Sequence, residues 1–172
     1  MTRIIVDTLT GVMTVEANGM LCSIRCSIGK GSAVSAAEKR EGDGATPLGL
    51  WPIRRVLFRP DRASAPEGLT LPWAWIEADD GWSDDAADPA YNTAVKHPHP
   101  FSAERLVRDD GLYDVIVVLG YNDDPPVPAR GSAIFLHCWN EGKPTEGCVA
   151  VAKAELLAIL PDLAAGDAVE II

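Results

Sequence analysis

One stretch in the last third of the chain changes its apolar spacing from that of a β-strand to that of an α-helix. An apolar run at 133–136 leads into His137, and a run of this length predicts a buried strand. After Cys148 the apolar residues follow helical spacing until Pro161 ends the pattern. We therefore expect His137 where the strand leaves the core, and Cys148 just before or inside the first turn of the helix.

The position expected for Cys148 favours a reactive thiol. Free backbone N–H groups and the helix dipole stabilise a thiolate at a helix N-terminus. A thiolate facing an imidazole is the arrangement used in nucleophilic cysteine catalysis. The alternative is a structural cysteine, since cysteine is among the residue types most often buried. The histidine on the adjoining strand favours catalysis, and Cys148 is then predicted to react with alkylating reagents faster than the other thiols.

Residues 137–148 resemble the signature of the L,D-transpeptidase (YkuD) catalytic domain family, in which a histidine is followed by Ser/Thr-x-Gly-Cys. A second stretch, 46–49, reads Thr-Pro-Leu-Gly before an apolar segment and is similar to the family's Thr-Pro-x-Gly. The two motifs and the strands between them cover nearly the whole chain. The matching residues of the first motif are His137, Thr145, Gly147 and Cys148.

The resemblance implies a mainly β fold with few helices: a YkuD-like β-sandwich or mixed sheet with one helix following the catalytic cysteine. We expect a single catalytic domain over residues 1–172, because no repeat, low-complexity tract or clear linker divides the sequence. The implied activity is cysteine-dependent acyl transfer on peptidoglycan stem peptides, at the L–D bond before the terminal D-Ala. Neither a cofactor nor a metal is implied.

The resemblance also assigns roles to individual residues. Cys148 is the nucleophile and His137 is the general base, and the backbone carbonyl of Cys138 orients the imidazole. The backbone N–H groups of Cys148 and Gly147 meet the oxyanion. Thr145, as part of the motif, is assigned to substrate binding.

The chain departs from the family two positions after the cysteine, where Ala150 replaces a frequent arginine. Any role of that arginine in holding the substrate must fall to another residue or be absent. Arg130 is the cation nearest in sequence to His137 and is suited to a substrate carboxylate. The loop between His137 and Cys148 also looks short for the family.

Other polar and aromatic loops are candidates for a substrate groove, and solvated loops are an equal alternative. His97 and His99 flank a proline without a third ligand at suitable spacing, so we expect a solvated loop rather than a metal site there. The candidate substrate residues are Trp82, Tyr91, Tyr121 and Asn122.

Charge and cysteine usage narrow the function classes. The net charge is −10 and no stretch clusters Lys and Arg, which argues against nucleic acid or a membrane surface as a partner. Cys22 and Cys26 alternate with polar residues in a predicted strand, so both are expected to be buried core residues rather than parts of a disulfide. Cys138 is expected on the opposite side of its strand from His137, as a structural residue.

The predicted location is cytoplasmic, because no apolar run near the N-terminus reaches the length of a signal peptide and none approaches a membrane span. For a cytoplasmic enzyme, soluble muropeptides are the accessible substrate. We therefore favour an L,D-carboxypeptidase that trims tetrapeptides to tripeptides in cell-wall recycling. The alternatives are an L,D-transpeptidase that cross-links peptidoglycan in the periplasm, and an inactive binding module. The sequence leaves the oligomeric state unknown.

Overall fold

The computed structural model describes residues 2–172, which form mostly β-strands with one short helix, and so confirms the predicted fold class. The helix α1 spans Lys153–Ile159 and continues into a 3-10 turn at Leu160–Asp162. The strands are β1 (Arg3–Asp7), β2 (Val12–Ala17), β3 (Met20–Ser27), β4 (Ala33–Ser35), β5 (Thr46–Phe58), β6 (Trp73–Trp75), β7 (Asp80–Ser83), β8 (Ala94–Lys96), β9 (Ala103–Arg105), β10 (Val115–Leu119), β11 (Phe135–Cys138), β12 (Val149–Val151) and β13 (Ala168–Ile171).

Strand β5 closes the main sheet on itself. Its first half pairs with β13 and its second half with β10. The remaining order from β10 is β11, β12, β3, β2, β1 and β13. The pairs β1–β13 and β11–β12 run parallel while most others run antiparallel, so the sheet is mixed, as expected. The hairpin between β2 and β3 turns at Asn18 and Gly19, whose φ angles of 52° and 75° suit a tight two-residue turn.

A small second sheet, in the order β8-β7-β9, covers part of one face of the main sheet. Trp82 of this small sheet packs edge-on against Phe135 of β11, with ring centroids 5.1 Å apart. Tyr113, Ile116 and Phe135 belong to the apolar cluster on this face, whereas Leu136 and α1 residue Leu156 belong to the larger core on the other. Strand β11 therefore has a core face and a face toward the small sheet.

The helix begins later than the sequence predicts. Residues 149–151 continue from Cys148 as strand β12, because they pair with β11 on one side and β3 on the other. Ala152 then precedes α1, whose first residue is Lys153. At seven residues α1 is short, and within residues 2–172 no helix is long and apolar enough to cross a membrane.

The expectation that Cys22 and Cys26 share one buried face is wrong for Cys22. Cys26 is buried, but Cys22 is exposed. The first four residues of β3 are all exposed, including Met20. The alternating pattern is present, yet this end of the hairpin extends beyond the residues that cover the core.

Candidate active site

A pocket of about 530 Å³ opens between the main sheet and the small sheet. His137 and Cys148 both line it, together with Ala150. In the parallel pairing of β11 with β12, His137 stands beside Ala150, two residues after the cysteine. The pocket thus brings together the imidazole and the thiol that the sequence identifies.

The imidazole of His137 is buried and held by its own strand. Its Nδ1 lies 2.7 Å from the carbonyl oxygen of Cys138. A carbonyl oxygen only accepts, so Nδ1 carries the proton and Nε2 is the basic nitrogen. Burial lowers the pKa of His137 to about 4, which keeps the ring neutral near pH 7. This is the contact that the family resemblance implies, and its role in catalysis stays a prediction.

The thiol of Cys148 differs from the expected thiolate. Its Sγ donates to the carbonyl oxygen of Ala133 at 3.0 Å and accepts from the N–H of Phe135 at 3.4 Å. Strand β12 separates it from α1, so the helix N-terminus does not act on it. Burial raises the pKa of Cys148 to about 12. At rest the pocket therefore holds a neutral thiol and a neutral imidazole.

A polar network that sequence reasoning missed surrounds His137. Tyr113 stands edge-on to the imidazole, with ring centroids 5.2 Å apart, and its hydroxyl donates to Glu104 at 2.8 Å. The guanidinium of Arg108 lies over the Tyr113 ring at 5.0 Å and pairs with Glu104 at 3.2 Å. Burial raises the pKa of Glu104. The i,i+4 spacing of Glu104 and Arg108 is visible in the sequence, but it is too common to indicate a site.

Two threonine hydroxyls hold the backbone on either side of Gly147. Thr145 Oγ1 accepts the N–H of Gly147 at 3.1 Å and donates to the carbonyl oxygen of Cys148 at 2.6 Å. Thr46 Oγ1 donates to the carbonyl oxygen of Gly147 at 2.8 Å. The Thr145 hydroxyl is thus engaged with backbone rather than offered to a substrate. The N–H of Gly147 is also occupied, so it is not the free oxyanion donor that the resemblance implies.

Glycine is required at position 147 by the backbone. Its φ is 140°, in the region that favours glycine, and a Cβ there would lie 2.9 Å from the carbonyl oxygen of Ala45. The upstream Thr-Pro-x-Gly segment therefore passes directly against the cysteine motif. Their separation in sequence hides this contact.

The side chain of Cys138 lies on the core face. It is buried in the main core with Leu136 and Val149, and its Sγ lies 3.9 Å from the carbonyl oxygen of Val115. Burial raises the pKa of Cys138 to about 11. Cys138 therefore contributes only its backbone carbonyl to the site.

Arg130 does not reach the pocket, contrary to the expectation that it meets a substrate carboxylate. Its guanidinium donates to the carbonyl oxygen of Ala37 at 2.8 Å, and Arg130 is not among the residues that line the pocket, although Ser132 and Ala133 of the same loop are. The pocket cations are Lys39, Arg108 and Lys143. Of these, Lys143 makes no ion pair within residues 2–172.

Trp82 and Tyr91 are scaffold residues rather than parts of the 530 Å³ pocket. The indole N–H of Trp82 donates to Asn92 Oδ1 at 2.9 Å. The hydroxyl of Tyr91 donates to Glu41 and accepts the N–H of Gly131 at 3.0 Å. Both polar groups are engaged inside the protein.

Tyr121 and Asn122 likewise hold a loop in place. The hydroxyl of Tyr121 donates to the carbonyl oxygen of Arg130 at 2.6 Å. The amide of Asn122 donates to the carbonyl oxygens of Val127 and Gly131, at 3.0 and 2.9 Å. The structure therefore favours the alternative to substrate binding for these residues, in the form of loop anchors rather than solvated loops.

A second pocket of about 360 Å³ lies beside the first and shares Ile134 with it. Phe135, Trp82 and Arg55 line this second pocket. Its floor is apolar, and within residues 2–172 the Arg55 guanidinium has no ion pair. The space on this face of the sheet is thus divided into two neighbouring cavities.

The histidines at 97 and 99 do not form a metal cluster. His99 Nε2 lies 2.6 Å from Asp88 Oδ2. Among the residues described, one group of possible ligand atoms is close enough to hold an ion, and the ammonium of Lys96 already lies 2.5–2.9 Å from its three carboxylates. The members of that group are Glu77, Asp79 and Asp80.

Comparisons with known proteins agree with this architecture. A family model described as YkuD, the L,D-transpeptidase catalytic domain, matches residues 1–171. No curated protein matches the chain. Among solved structures, the fold resembles that of Bd1075 from Bdellovibrio bacteriovorus, with TM-score 0.52 and 13% identity over 99% of this chain and 47% of that chain.

An L,D-transpeptidase from Mycobacterium smegmatis is also similar, with TM-score 0.48 and 12% identity over 99% of this chain and 58% of that chain. The L,D-transpeptidase from Xylanimonas cellulosilytica has TM-score 0.48 and 14% identity over 99% of this chain and 60% of that chain. The chain therefore spans about half to three fifths of the length of these structures.

Proposed function

The chain belongs to the YkuD family of L,D-transpeptidase catalytic domains, and we propose that it transfers acyl groups from peptidoglycan stem peptides through a thioester on Cys148. The observation that carries this proposal is the shared pocket, in which the thiol of Cys148 and the imidazole of His137, anchored through Nδ1, are both largely buried. Nucleophilic cysteine catalysis uses these two groups.

The proposed reaction begins from neutral groups. The thiol proton, held by the carbonyl of Ala133 at rest, passes to Nε2 of His137 as the sulfur attacks the carbonyl carbon before the terminal D-Ala. The tetrahedral oxyanion collapses to a thioester, and the imidazolium returns the proton to the departing D-Ala nitrogen. Because burial disfavours the separated thiolate and imidazolium, proton transfer and attack are expected to be concerted.

Water is proposed as the main acyl acceptor, which makes the enzyme an L,D-carboxypeptidase that converts tetrapeptide to tripeptide. The lining carries four carboxylates against three cations, so its formal charge is negative, and two of the cations, Lys39 and Arg108, are already paired with carboxylates. A negative environment keeps an amine acceptor protonated and non-nucleophilic, but it leaves water available. The carboxylates of the lining belong to Glu41, Asp84, Glu104 and Glu146, and Glu146 pairs with Lys30 at 2.8 Å.

Lys143 is proposed to bind the carboxylate of the terminal D-Ala, in the role first assigned to Arg130. It lines the pocket and has no ion pair in the described chain. Lys143→Gln should raise KM for a free-acid tetrapeptide and leave KM for a C-terminally amidated peptide unchanged. Arg130→Gln is the matched control and should leave both values unchanged. Equal effects on the two peptides would contradict this assignment.

Transpeptidation is the second candidate, and the second pocket is the observation that favours it. An acceptor stem with an apolar body and a carboxylate would suit the 360 Å³ space with its free Arg55. Both cavities border Ile134, so an acceptor there would lie near the thioester. Cross-linked dimers would then form.

Incubation of the protein with a disaccharide tetrapeptide tests both candidates. Carboxypeptidase action predicts release of D-Ala and accumulation of tripeptide, detected by mass spectrometry, with few dimers even at high substrate. Predominant dimers would establish transpeptidation instead. An absence of both products, together with no acylation of Cys148 by a carbapenem, would indicate an inactive binding module. The cytoplasmic site of action remains a prediction from the sequence, and fractionation of the producing cells tests it.

A further inference from the structure

The upstream Thr-Pro-x-Gly motif contacts the cysteine motif through one hydroxyl group. Thr46, the first residue of β5, is completely buried. Its Oγ1 accepts the N–H of Gly29 at 2.8 Å. The single hydroxyl proton is therefore free to be donated to the carbonyl oxygen of Gly147, also at 2.8 Å. The direction of this hydrogen bond is therefore unambiguous, because the Gly147 carbonyl can only accept and the hydroxyl proton of Thr46 has no other acceptor within the described chain.

Of the backbone N–H and C=O groups of Gly147 and Cys148, one has no hydrogen-bond partner among the described residues. The N–H of Gly147 and the carbonyl of Cys148 are bound by the Thr145 hydroxyl, and the carbonyl of Gly147 is bound by Thr46. Within residues 2–172 the N–H of Cys148 has no backbone or side-chain acceptor. Buried backbone N–H groups are nearly always bonded, so this one is available for a ligand.

The peptide geometry gives that N–H a direction. The bond between Gly147 and Cys148 is trans, so its C=O and N–H point in opposite directions. The carbonyl points to Thr46, in the layer where the backbones of Gly29 and Gly44 are so close that a Cβ on Gly29 would lie 2.1 Å from the Gly44 carbonyl oxygen. The N–H therefore points away from this closely packed layer.

We propose that Thr46 is a positioning residue that, with Thr145, aims the N–H of Cys148 at the oxyanion formed in the reaction. This inference rests on the proposed acyl transfer at Cys148. It gives the Thr-Pro-x-Gly motif a function in the site: the Thr46 hydroxyl fixes the peptide plane, and the N–H of Cys148 on that plane stabilises the transition state. Preorganised N–H donors of this kind lower the barrier without reorganising during the reaction.

The test compares Thr46→Val, which removes the hydroxyl at nearly constant volume, with Thr46→Ser, which keeps it. Removal of a direct oxyanion donor lowers kcat by about 10²–10³-fold, and we expect a misaimed donor to lower it by about tenfold or more. KM should stay unchanged, because the interaction is made only in the transition state. Thr46→Ser should retain kcat within about threefold. The D-Ala release assay provides kcat and KM for both variants.

Thermal unfolding of each variant separates a folding defect from a catalytic one. If Thr46→Val does not fold, Thr145→Val tests the support of the two flanking peptide groups, whose Gly147 N–H and Cys148 C=O the Thr145 hydroxyl binds, and it should also lower kcat with KM unchanged. A folded Thr46→Val or Thr145→Val with wild-type kcat would overturn the inference, as would a Thr46→Ser that loses as much as Thr46→Val. A wild-type protein that releases no D-Ala overturns the proposed function and this inference with it. An active wild type with an equally active Thr46→Val overturns the inference alone.

Discussion

The two faces of β11 bury their side chains to the same degree but surround them with different groups. On the core face Leu136 and Cys138 are 0% and 2% exposed, and on the pocket face Phe135 and His137 are 1% and 3% exposed. Burial also raises the pKa of the thiol on each face, to about 11 for Cys138 and about 12 for Cys148. Neither burial nor pKa therefore distinguishes a structural cysteine from a reactive one.

The distinction lies in the groups around each thiol. Cys138 packs against aliphatic side chains, and its Sγ makes one long contact of 3.9 Å with a carbonyl. Cys148 lines an open cavity with an imidazole, and its backbone N–H is unpaired within the described chain. The core face gains stability from close packing, whereas the pocket face leaves polar groups without partners, which a substrate can satisfy.

The largest expected effect contrasts the two buried thiols. Cys148→Ala should abolish D-Ala release and leave the fold intact, because its sulfur is the proposed attacking atom. Cys138→Ala should retain kcat once folded and lower the free energy of unfolding by about 1 kcal/mol or more. Urea unfolding and the D-Ala assay measure both quantities. Normal turnover by Cys148→Ala would show that the pocket thiol is not the nucleophile.

The next effect compares adjacent residues of β11. His137→Gln should lower kcat by about 10²–10⁴-fold, which is the usual contribution of a general acid–base group. Leu136→Ala should instead lower the free energy of unfolding by about 2–5 kcal/mol, with kcat of the folded fraction unchanged. If both variants lost activity in proportion to stability alone, the proposed role of the imidazole would be wrong.

Acid should lower the free energy of unfolding over a pH range set by the pKa of His137. The pKa of this group is about 4 in the folded protein, against a reference value of 6.5. Between these values the unfolded chain binds a proton that the folded protein does not, so stability falls as the pH drops from 6.5 to 4 and levels off below. Relative to His137→Gln, the wild type should lose about 3 kcal/mol over this range.

Urea unfolding of both proteins at several pH values measures this difference. The carboxylates titrate in both chains and cancel in the comparison. Cys138 on the core face does not titrate in this window, since its pKa is about 11. A constant difference between wild type and His137→Gln from pH 7 to pH 4 would mean that the imidazole is not buried in its neutral form.

The smallest effect concerns the resting reactivity of the thiols. Iodoacetamide near pH 7 should modify Cys22 first, because it is the exposed cysteine and the other three are buried. Cys148 and Cys138 should both react more slowly than Cys22, by about tenfold or more. Peptide mapping after timed labelling reports each rate. Preferential labelling of Cys148 would restore the thiolate that the sequence predicts and contradict the neutral pair.

Much of the fold could be predicted from local patterns. Alternating residues indicate β3, the apolar run before His137 indicates β11, and the helical spacing that follows Cys148 indicates α1, whereas the short strands β4, β6–β9 and β12 carry no comparable local pattern. The helix start was wrong because residues 149–151 satisfy both strand and helix patterns, and the neighbouring strands β11 and β3 decide between them. The predicted burial of Cys22 was wrong because alternation predicts which residues share a face but not how far the core extends beneath that face.

The candidate site was predicted less evenly. His137 and Cys148 belong to one short sequence motif, residues 137–148, and both line the pocket. Arg130 was chosen for its proximity in sequence, but its guanidinium binds the carbonyl of Ala37 and does not line the pocket. Glu104, Arg108 and Tyr113 could not be found by proximity. Tyr113 just precedes β10, whose pairing with β11 brings its ring to the histidine, and Glu104 and Arg108 contact Tyr113 in turn.

The sequence by itself determined the β class of the fold, the family and the two candidate residues His137 and Cys148, because these depend on local periodicity and short motifs. The tertiary structure alone decided the protonation of those residues and the identity of their partners. The pKa values of His137 and Cys148 depend on burial by segments distant in the chain. Likewise, the hydrogen bond from Thr46 to Gly147 joins residues 101 positions apart, and only the folded backbone brings them within reach.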